Sequence, residues 1–273
     1  MIRARKQFGQ HFLEPAWVEK VIKAIAPRAD ETFIEIGPGT GALTRPLAAL
    51  ARAVTAFEID RDLASQLQAT APPNVRVVEG DFLTTDLSDF RLQTSHFTLQ
   101  TLNFLRVAGN LPYNVASPIL FKLVALHAAG VPLADATVML QREVADRLVA
   151  GPGSREYGVL SILIGHSASV ETILKLPAGA FRPPPKVLSA LVRLQFHAPD
   201  PPARDEAAFA GLVQAVFTRR RKTLANALLA FPPAVAATPV RMVRDAGIDG
   251  GRRPETLSIP EFVRLADTLA PPR

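Results

Sequence analysis

Residues Phe33-Ile34-Glu35-Ile36-Gly37-Pro38-Gly39-Thr40-Gly41-Ala42-Leu43-Thr44 leave this chain few choices of fold. A short apolar, β-branched run stops at a glycine. Glycines occupy three alternate positions, and an Ala/Leu-rich stretch then begins. This order predicts strand, tight turn and helix. Glycine lets the backbone approach a ligand without a Cβ in the way. The first turn of the helix offers N–H groups with no partner inside the helix. A nucleotide-like ligand is therefore expected at the carboxyl end of this strand.

Gly37-x-Gly39-x-x-Ala42 also fits the dinucleotide fingerprint of nicotinamide enzymes. Thr55-Ala56-Phe57-Glu58-Ile59-Asp60 ends a second apolar run and places Glu58 where that fingerprint has its ribose-binding acid. A carboxylate there accepts hydrogen bonds from ribose hydroxyls, whether the nucleoside belongs to NAD or to S-adenosylmethionine. The turn and the acid leave that choice open. A nicotinamide oxidoreductase would also need a hydride-transfer residue, and none is visible.

The rest of the chain repeats the pattern. Pro15 can open a helix carrying Val18, Val21, Ile22 and Ile25, which Pro27 stops. The helix after the glycine turn runs to about Ala51, and another passes through Leu63 and Leu67. Val75–Val78, Leu105–Gly109 and Ala136–Leu140 are further strands, and a helix from about Ser117 to His127 lies between the last two. Residues 84–103 are weakly patterned and fit helix or loop. Alternation of strand and helix predicts a parallel sheet covered on both faces.

Arg142 to Ala150 reads as a helix, 151–154 as a turn, and a further apolar helix starts near Val159. Val170–Leu174 and Val187–Phe196 read as edge strands, a hairpin joined by residues 181–186, the second with one buried face. Ala198-Pro199-Asp200-Pro201-Pro202 is the best domain boundary. Beyond it the patterning is helical only. Ser258-Ile259-Pro260-Glu261 reads as a capping box, flanked by Leu257 and Phe262 as a hydrophobic staple. The expected architecture is thus an α/β, Rossmann-like domain over residues 1–197 and a small all-helical domain over 198–273.

With 273 residues, 48% of them hydrophobic, the chain can bury a sizeable core. It has no cysteine, so disulfides and thiolate metal sites are excluded. His96, His127, His166 and His197 have no metal-ligand spacing and read as structural. Neither a signal peptide nor a membrane-crossing run is visible, which predicts a cytoplasmic protein with no membrane partner. The net charge of +6 and a pI near 10.0 point to a polyanionic partner, with nucleic acid first. Arg3, Arg5 and Lys6 form one basic cluster in an extended arm; Arg219, Arg220, Arg221 and Lys222 form another.

The stretch Gly109-Asn110-Leu111-Pro112-Tyr113-Asn114 ends the fourth strand, on the same sheet edge as Gly37, Glu58 and Asp81. An adenine amine is a poor nucleophile because its lone pair is delocalised into the ring. The Asn110 side-chain oxygen and the Leu111 carbonyl can accept its hydrogens and aim the lone pair at a methyl group. Pro112 fixes the backbone, and Tyr113 can stack on a base taken out of its helix. Such a loop works by positioning.

Here the chain resembles the ribosomal RNA adenine N6-dimethyltransferases. The resemblance spans Phe8–Leu13, the Gly37–Thr44 turn, Glu58, Gly80-Asp81, Asn110–Tyr113, Gln141–Ala145, Phe181–Val187, Arg220–Leu224 and Gly247–Asp249. The tail motifs favour the bacterial enzymes that dimethylate two adjacent adenines near the 3′ end of 16S ribosomal RNA in an immature small subunit. The resemblance implies S-adenosylmethionine as cofactor. It implies that His11 and Leu13 close over it, with Gly37, Gly39, Glu58, Asp81 and Asn110 lining it and Asp81 receiving its adenine amine. Phe181 would face Tyr113 across the target base. His11 stands where many members carry Asn. With an RNA substrate, Lys186 and the basic clusters become phosphate contacts. No metal is implied, and a monomer is expected. A binding-only assembly factor on the same fold is the alternative from another class.

Overall fold

The computed structural model describes residues 11–86, 104–231 and 238–269. Arg3, Arg5, Lys6, His96 and most of 84–103 lie outside the described residues. The chain divides into two compact units, Met1–Ala145 with Ser169–Phe196, and Asp146–Ala168 with His197–Arg273. The second boundary falls within a residue of the expected one. The first does not: residues 146–168 were expected with the sheet, and they pack with the tail.

The first unit is built on strands β2 (Thr32–Ile36), β3 (Ala53–Glu58), β4 (Val75–Glu79), β5 (Leu105–Asn110), β6 (Leu133–Gln141), β7 (Ala168–Leu176) and β9 (Ser189–Phe196). Their order across the sheet is β4-β3-β2-β5-β6-β9-β7. The pairs β4/β3, β3/β2, β2/β5 and β5/β6 are parallel, and β6/β9 is antiparallel. Helix α1 (Pro15–Ile25) precedes β2, and helices α2 (Thr44–Leu50), α3 (Arg61–Thr70) and α4 (Ala116–Ala128) join β2 to β3, β3 to β4 and β5 to β6. Order reverses between β2 and β5, which opens a crevice at their carboxyl ends.

Two sequence expectations change at the far edge. Ser189, Ala190, Leu191 and Val192 are all at most 1% exposed, so β9 buries both faces over its first half. It lies between β6 and β7 rather than at an edge, so alternation gives way to a continuous buried run. Phe181–Arg182 is not only a connector. It forms β8, antiparallel to β1 (Phe12–Leu13), with Phe12 opposite Arg182 and Leu13 opposite Phe181. Glu14 N–H donates to the Ala180 carbonyl (2.9 Å), and its carboxylate meets Arg182 at 2.7 Å. The end of the arm is thereby fixed beside the sheet.

Opposite the crevice, a buried ion network ties the amino ends of the strands. Register sets Arg106 across from Asp135. The guanidinium grips Asp135 through two bonds (2.9 and 2.7 Å) and reaches Glu31 (2.7 Å) and the Ile25 carbonyl (2.9 Å). With a fifth bond to the Ala26 carbonyl (3.3 Å) each of its five donors is matched, the condition under which a buried arginine is tolerated.

The second unit contains α6 (Val159–Gly165), α7 (Glu206–Phe217), α8 (Leu224–Ala227), α9 (Pro239–Asp245) and α10 (Ile259–Asp267); α5 (Arg142–Leu148) runs into it from the sheet. Tyr157, Ile162, Phe209, Leu212, Phe262 and Leu265 share its core. The capping box of α10 is formed: Ser258 Oγ accepts from the Glu261 N–H and Glu261 Oε2 from the Ser258 N–H. Arg252, bonded to Glu261 (2.5 Å), is the main cause that lowers the Glu261 carboxyl to about 2.

Candidate functional site

The crevice at the carboxyl ends of β2, β3, β4 and β5 holds about 1070 Å³ of empty space, its open mouth included. Its lining includes His11, Leu13, Gly37, Gly39, Glu58, Asp81, Asn110, Leu111, Pro112 and Tyr113. The sequence-predicted cofactor and target-loop residues are thus brought together, except Phe181.

The glycine turn is built as its sequence demands. Gly37, Gly39 and Gly41 have φ of +68°, +58° and +82°, a region that penalises any side chain. At Gly39 a Cβ would also lie 3.2 Å from the Phe12 ring of β1. The turn occupies 37–43 and the helix is short, Thr44–Leu50, one residue less than expected at its end.

Glu58 is 4% exposed and holds the turn. Its Oε2 accepts from the Gly39 N–H and its Oε1 from the Asp60 N–H, both at 2.9 Å. Burial raises its pKa, and these backbone bonds oppose the shift. The four acceptor sites of a carboxylate outnumber its backbone donors, which leaves capacity for a ligand. Asp81 is arranged similarly: Oδ1 accepts from the Leu83 N–H (2.9 Å), and its main-chain oxygen accepts from the Thr85 hydroxyl (2.8 Å).

The target loop is tied to the arm. Asn110 Nδ2 donates to the His11 carbonyl at 2.7 Å. That bond orients the amide, and among the described residues none donates to its oxygen. His11 Nδ1 lies 2.7 Å from the Pro183 carbonyl, which can only accept, so the ring proton sits on Nδ1. The His11 ring stacks on Tyr113 with centroids 5.7 Å apart and planes at 26°. The Tyr113 hydroxyl bonds Ser189 Oγ at 2.7 Å.

Phe181 does not face Tyr113 across this cavity. Its ring is 2% exposed and packs in the sheet core with Leu13, Met139, Leu176 and Leu191. Pairing of β8 with β1 turns that position inward. The ring stacked on Tyr113 is His11. Among the tail cations, Arg220 is half-buried, donates to the Ser154 carbonyl (3.2 Å) and pairs with Glu255 (3.9 Å). Arg219 reaches the Asn226 carbonyl (3.4 Å), whereas Arg221, Lys222 and Lys186 are exposed.

Glu35 was missed by sequence reasoning. It lines the cavity, is 1% exposed, and its Oε2 has no hydrogen-bonding partner among the described residues. Burial pushes its carboxyl up to about 7; the Thr44 hydroxyl beside it opposes the shift and the Glu58 charge adds to it. The signal was an acid inside the otherwise apolar strand Phe33-Ile34-Glu35-Ile36. Among the described residues no three metal-ligating side chains cluster, and no helix is long and apolar enough to cross a membrane.

A family description, ribosomal RNA adenine dimethylase, matches residues 1–270. The chain belongs to that family. Ribosomal RNA small subunit methyltransferase A of Acinetobacter baylyi is 42% identical over 98% of this chain and 93% of its own. The protein of the same name from Myxococcus xanthus is 41% identical over 99% and 92%. Among solved structures, 23S rRNA methyltransferase ErmE superposes with a TM-score of 0.66 at 26% identity, covering 94% of this chain and 99% of its own. A dimethyladenosine transferase from Plasmodium falciparum gives a TM-score of 0.72 at 24% identity, over 93% and 96%, and shares the fold. The fold and family imply S-adenosylmethionine as methyl donor.

Proposed function

We propose that this chain transfers methyl groups from S-adenosylmethionine to the N6 amines of two adjacent adenines near the 3′ end of 16S ribosomal RNA, during assembly of the small subunit. One observation carries the reading. The Asn110 amide nitrogen is committed to the arm, so its oxygen is left as an acceptor in the cavity that also holds Glu58 and Asp81. The names of the relatives from Acinetobacter baylyi and Myxococcus xanthus support the small-subunit substrate.

The cavity fits the cofactor chemically. Glu58 offers lone pairs to ribose hydroxyls, and Asp81 keeps a carboxylate oxygen for the adenine amine. When bound, S-adenosylmethionine supplies an electrophilic methyl group. Asn110 Oδ1 and the Leu111 carbonyl hold the target amine by its hydrogens, so that its lone pair points in one direction. Tyr113, held by Ser189 and backed by His11, offers a ring for a flipped base. No side chain is required as a strong base, because the methylated amine is cationic and gives its proton to water.

The test is methyl transfer to small subunits from a strain lacking the modification, with mass spectrometry of the RNA. Two adjacent dimethyladenines are expected. Incorporation into large-subunit RNA instead would overturn the substrate assignment.

Glu58→Ala removes the ribose acceptor and leaves the Gly39 and Asp60 N–H groups without theirs. S-adenosylmethionine affinity should fall by about 1.5–3 kcal/mol in titration calorimetry. Glu58→Gln should rescue only in part, since its amide NH2 faces one of two N–H donors. Unchanged affinity would remove Glu58 from the cofactor site.

Phosphate contacts in the tail should come from Arg221 and Lys222. Replacing both with Ala should weaken RNA binding and flatten its log–log salt slope by up to about two, with cofactor affinity unchanged. Arg220→Ala should instead lower the melting temperature, because it breaks the ties to Ser154 and Glu255.

A further inference from the structure

Lys122 lies on α4, the helix that follows the target loop. Its Nζ donates to three main-chain carbonyls, Phe82 at 2.6 Å, Leu83 at 2.9 Å and Thr85 at 2.7 Å. That uses every hydrogen of the ammonium. The same nitrogen sits 5.2 Å from the centre of the Phe82 ring. Three carbonyls converging on one point repel one another unless a cation lies between them.

The carbonyls belong to the turn after β4, and that turn carries one wall of the cavity. Asp81 and Phe82 line the cavity, whereas Lys122 does not. Asp81 closes the turn from the inner side, through the Leu83 N–H and the Thr85 hydroxyl. Lys122 closes it from the outer side through the carbonyls of Phe82, Leu83 and Thr85. The two sets of bonds share Leu83, whose N–H holds the Asp81 carboxylate, and Thr85, whose hydroxyl holds the Asp81 main-chain oxygen, so the side chain and the backbone that aims it are both tied to residues that Lys122 grips. Asp81 and Asp86 also supply the negative field in which the ammonium sits.

We propose that Lys122 is a positioning residue for the adenine end of the cofactor. It touches no substrate. It sets the aim of Asp81 and the plane of Phe82 from the helix behind the target loop. The proposal rests on the reading that Asp81 receives the adenine amine. It goes beyond that reading by naming a lysine outside the cavity as part of cofactor recognition.

The expected signature is a loss of cofactor affinity without a loss of chemistry. In Lys122→Met of the full chain, S-adenosylmethionine and adenosine should both bind about tenfold more weakly, as loss of charge-assisted bonds allows. Equal loss for adenosine locates the defect at the adenine end. The kcat at saturating S-adenosylmethionine should stay within about twofold, with the change confined to KM. Lys122→Arg keeps the charge but offers a planar fork in place of the three converging donors of the ammonium, so it should restore affinity only in part.

Lys122→Gln, measured well below its melting temperature, serves if the methionine variant does not fold. A lower melting temperature with unchanged affinity would make Lys122 a simple tie between α4 and the turn and overturn the proposal. Failure of both neutral variants to fold would do the same. If the wild-type chain binds S-adenosylmethionine but not through Asp81, shown by an Asp81→Ala variant of unaltered affinity, the reading beneath the proposal falls with it. If Asp81→Ala loses affinity and Lys122→Met does not, only the proposal falls.

Discussion

Asn110→Ala should reduce single-turnover methyl transfer by about a hundredfold or more at saturating S-adenosylmethionine, the usual cost of losing one placed polar group at a reacting centre. Two things are lost together. The amide oxygen no longer accepts from the target amine, and the bond that holds the arm, Asn110 Nδ2 to the His11 carbonyl at 2.7 Å, is gone. The second loss frees the ring stacked on Tyr113, so binding of the flipped base should weaken as well. Asn110→Asp separates the effects: it keeps an acceptor for the amine and removes the donor to His11. It should therefore retain more transfer than the alanine variant, with a weaker hold on the arm. RNA affinity should barely change in either, since phosphates dominate it. If Asn110→Ala makes dimethyladenine at the wild-type rate under these conditions, the residue only shapes the loop.

Parts of the site that sit on strand ends could be read directly from the chain. Gly37, Glu58, Asp81 and Asn110 each end or follow a short, largely apolar strand, and parallel strands deliver their carboxyl ends to one edge. The parts carried by irregular chain could not. Phe12–Leu13 and Phe181–Arg182 form strands of two residues, too short for any periodicity, so their pairing was invisible. Phe181 was placed at the site by resemblance, and only that pairing shows its ring turned into the core. Strand β9 carries a serine and an arginine among apolar residues, which mimics one-sided burial. Its place between two strands buries both faces. Residues 146–168 lie between sheet strands in sequence, and nothing in their composition says that they pack with Phe209 and Phe262 rather than with the sheet. Arg220 looks like its neighbours in a basic run, and only the approach of Ser154 and Glu255 distinguishes it.

Stability should fall as pH rises from about 4.5 to above 7, and Glu35 should account for about 3 kcal/mol of the fall. The folded state holds the Glu35 proton up to about pH 7, whereas the unfolded chain releases it near 4.5. Between those values the folded state binds more protons. The contribution is complete below the unfolded value and disappears as pH passes the folded one. Glu58, also raised by burial, acts in the same direction. Urea unfolding at pH 5 and pH 8 checks this, with Glu35→Gln as the control. The glutamine is neutral at both, so its stability should vary less by about that amount. A cationic ligand in the cavity favours the ionised carboxylate, so saturating S-adenosylmethionine should stabilise the wild type more at pH 8 than at pH 5, beyond any change in Glu35→Gln. Equal pH dependence in wild type and Glu35→Gln would mean that the carboxyl stays ionised throughout, and that its buried oxygen finds a partner in solution.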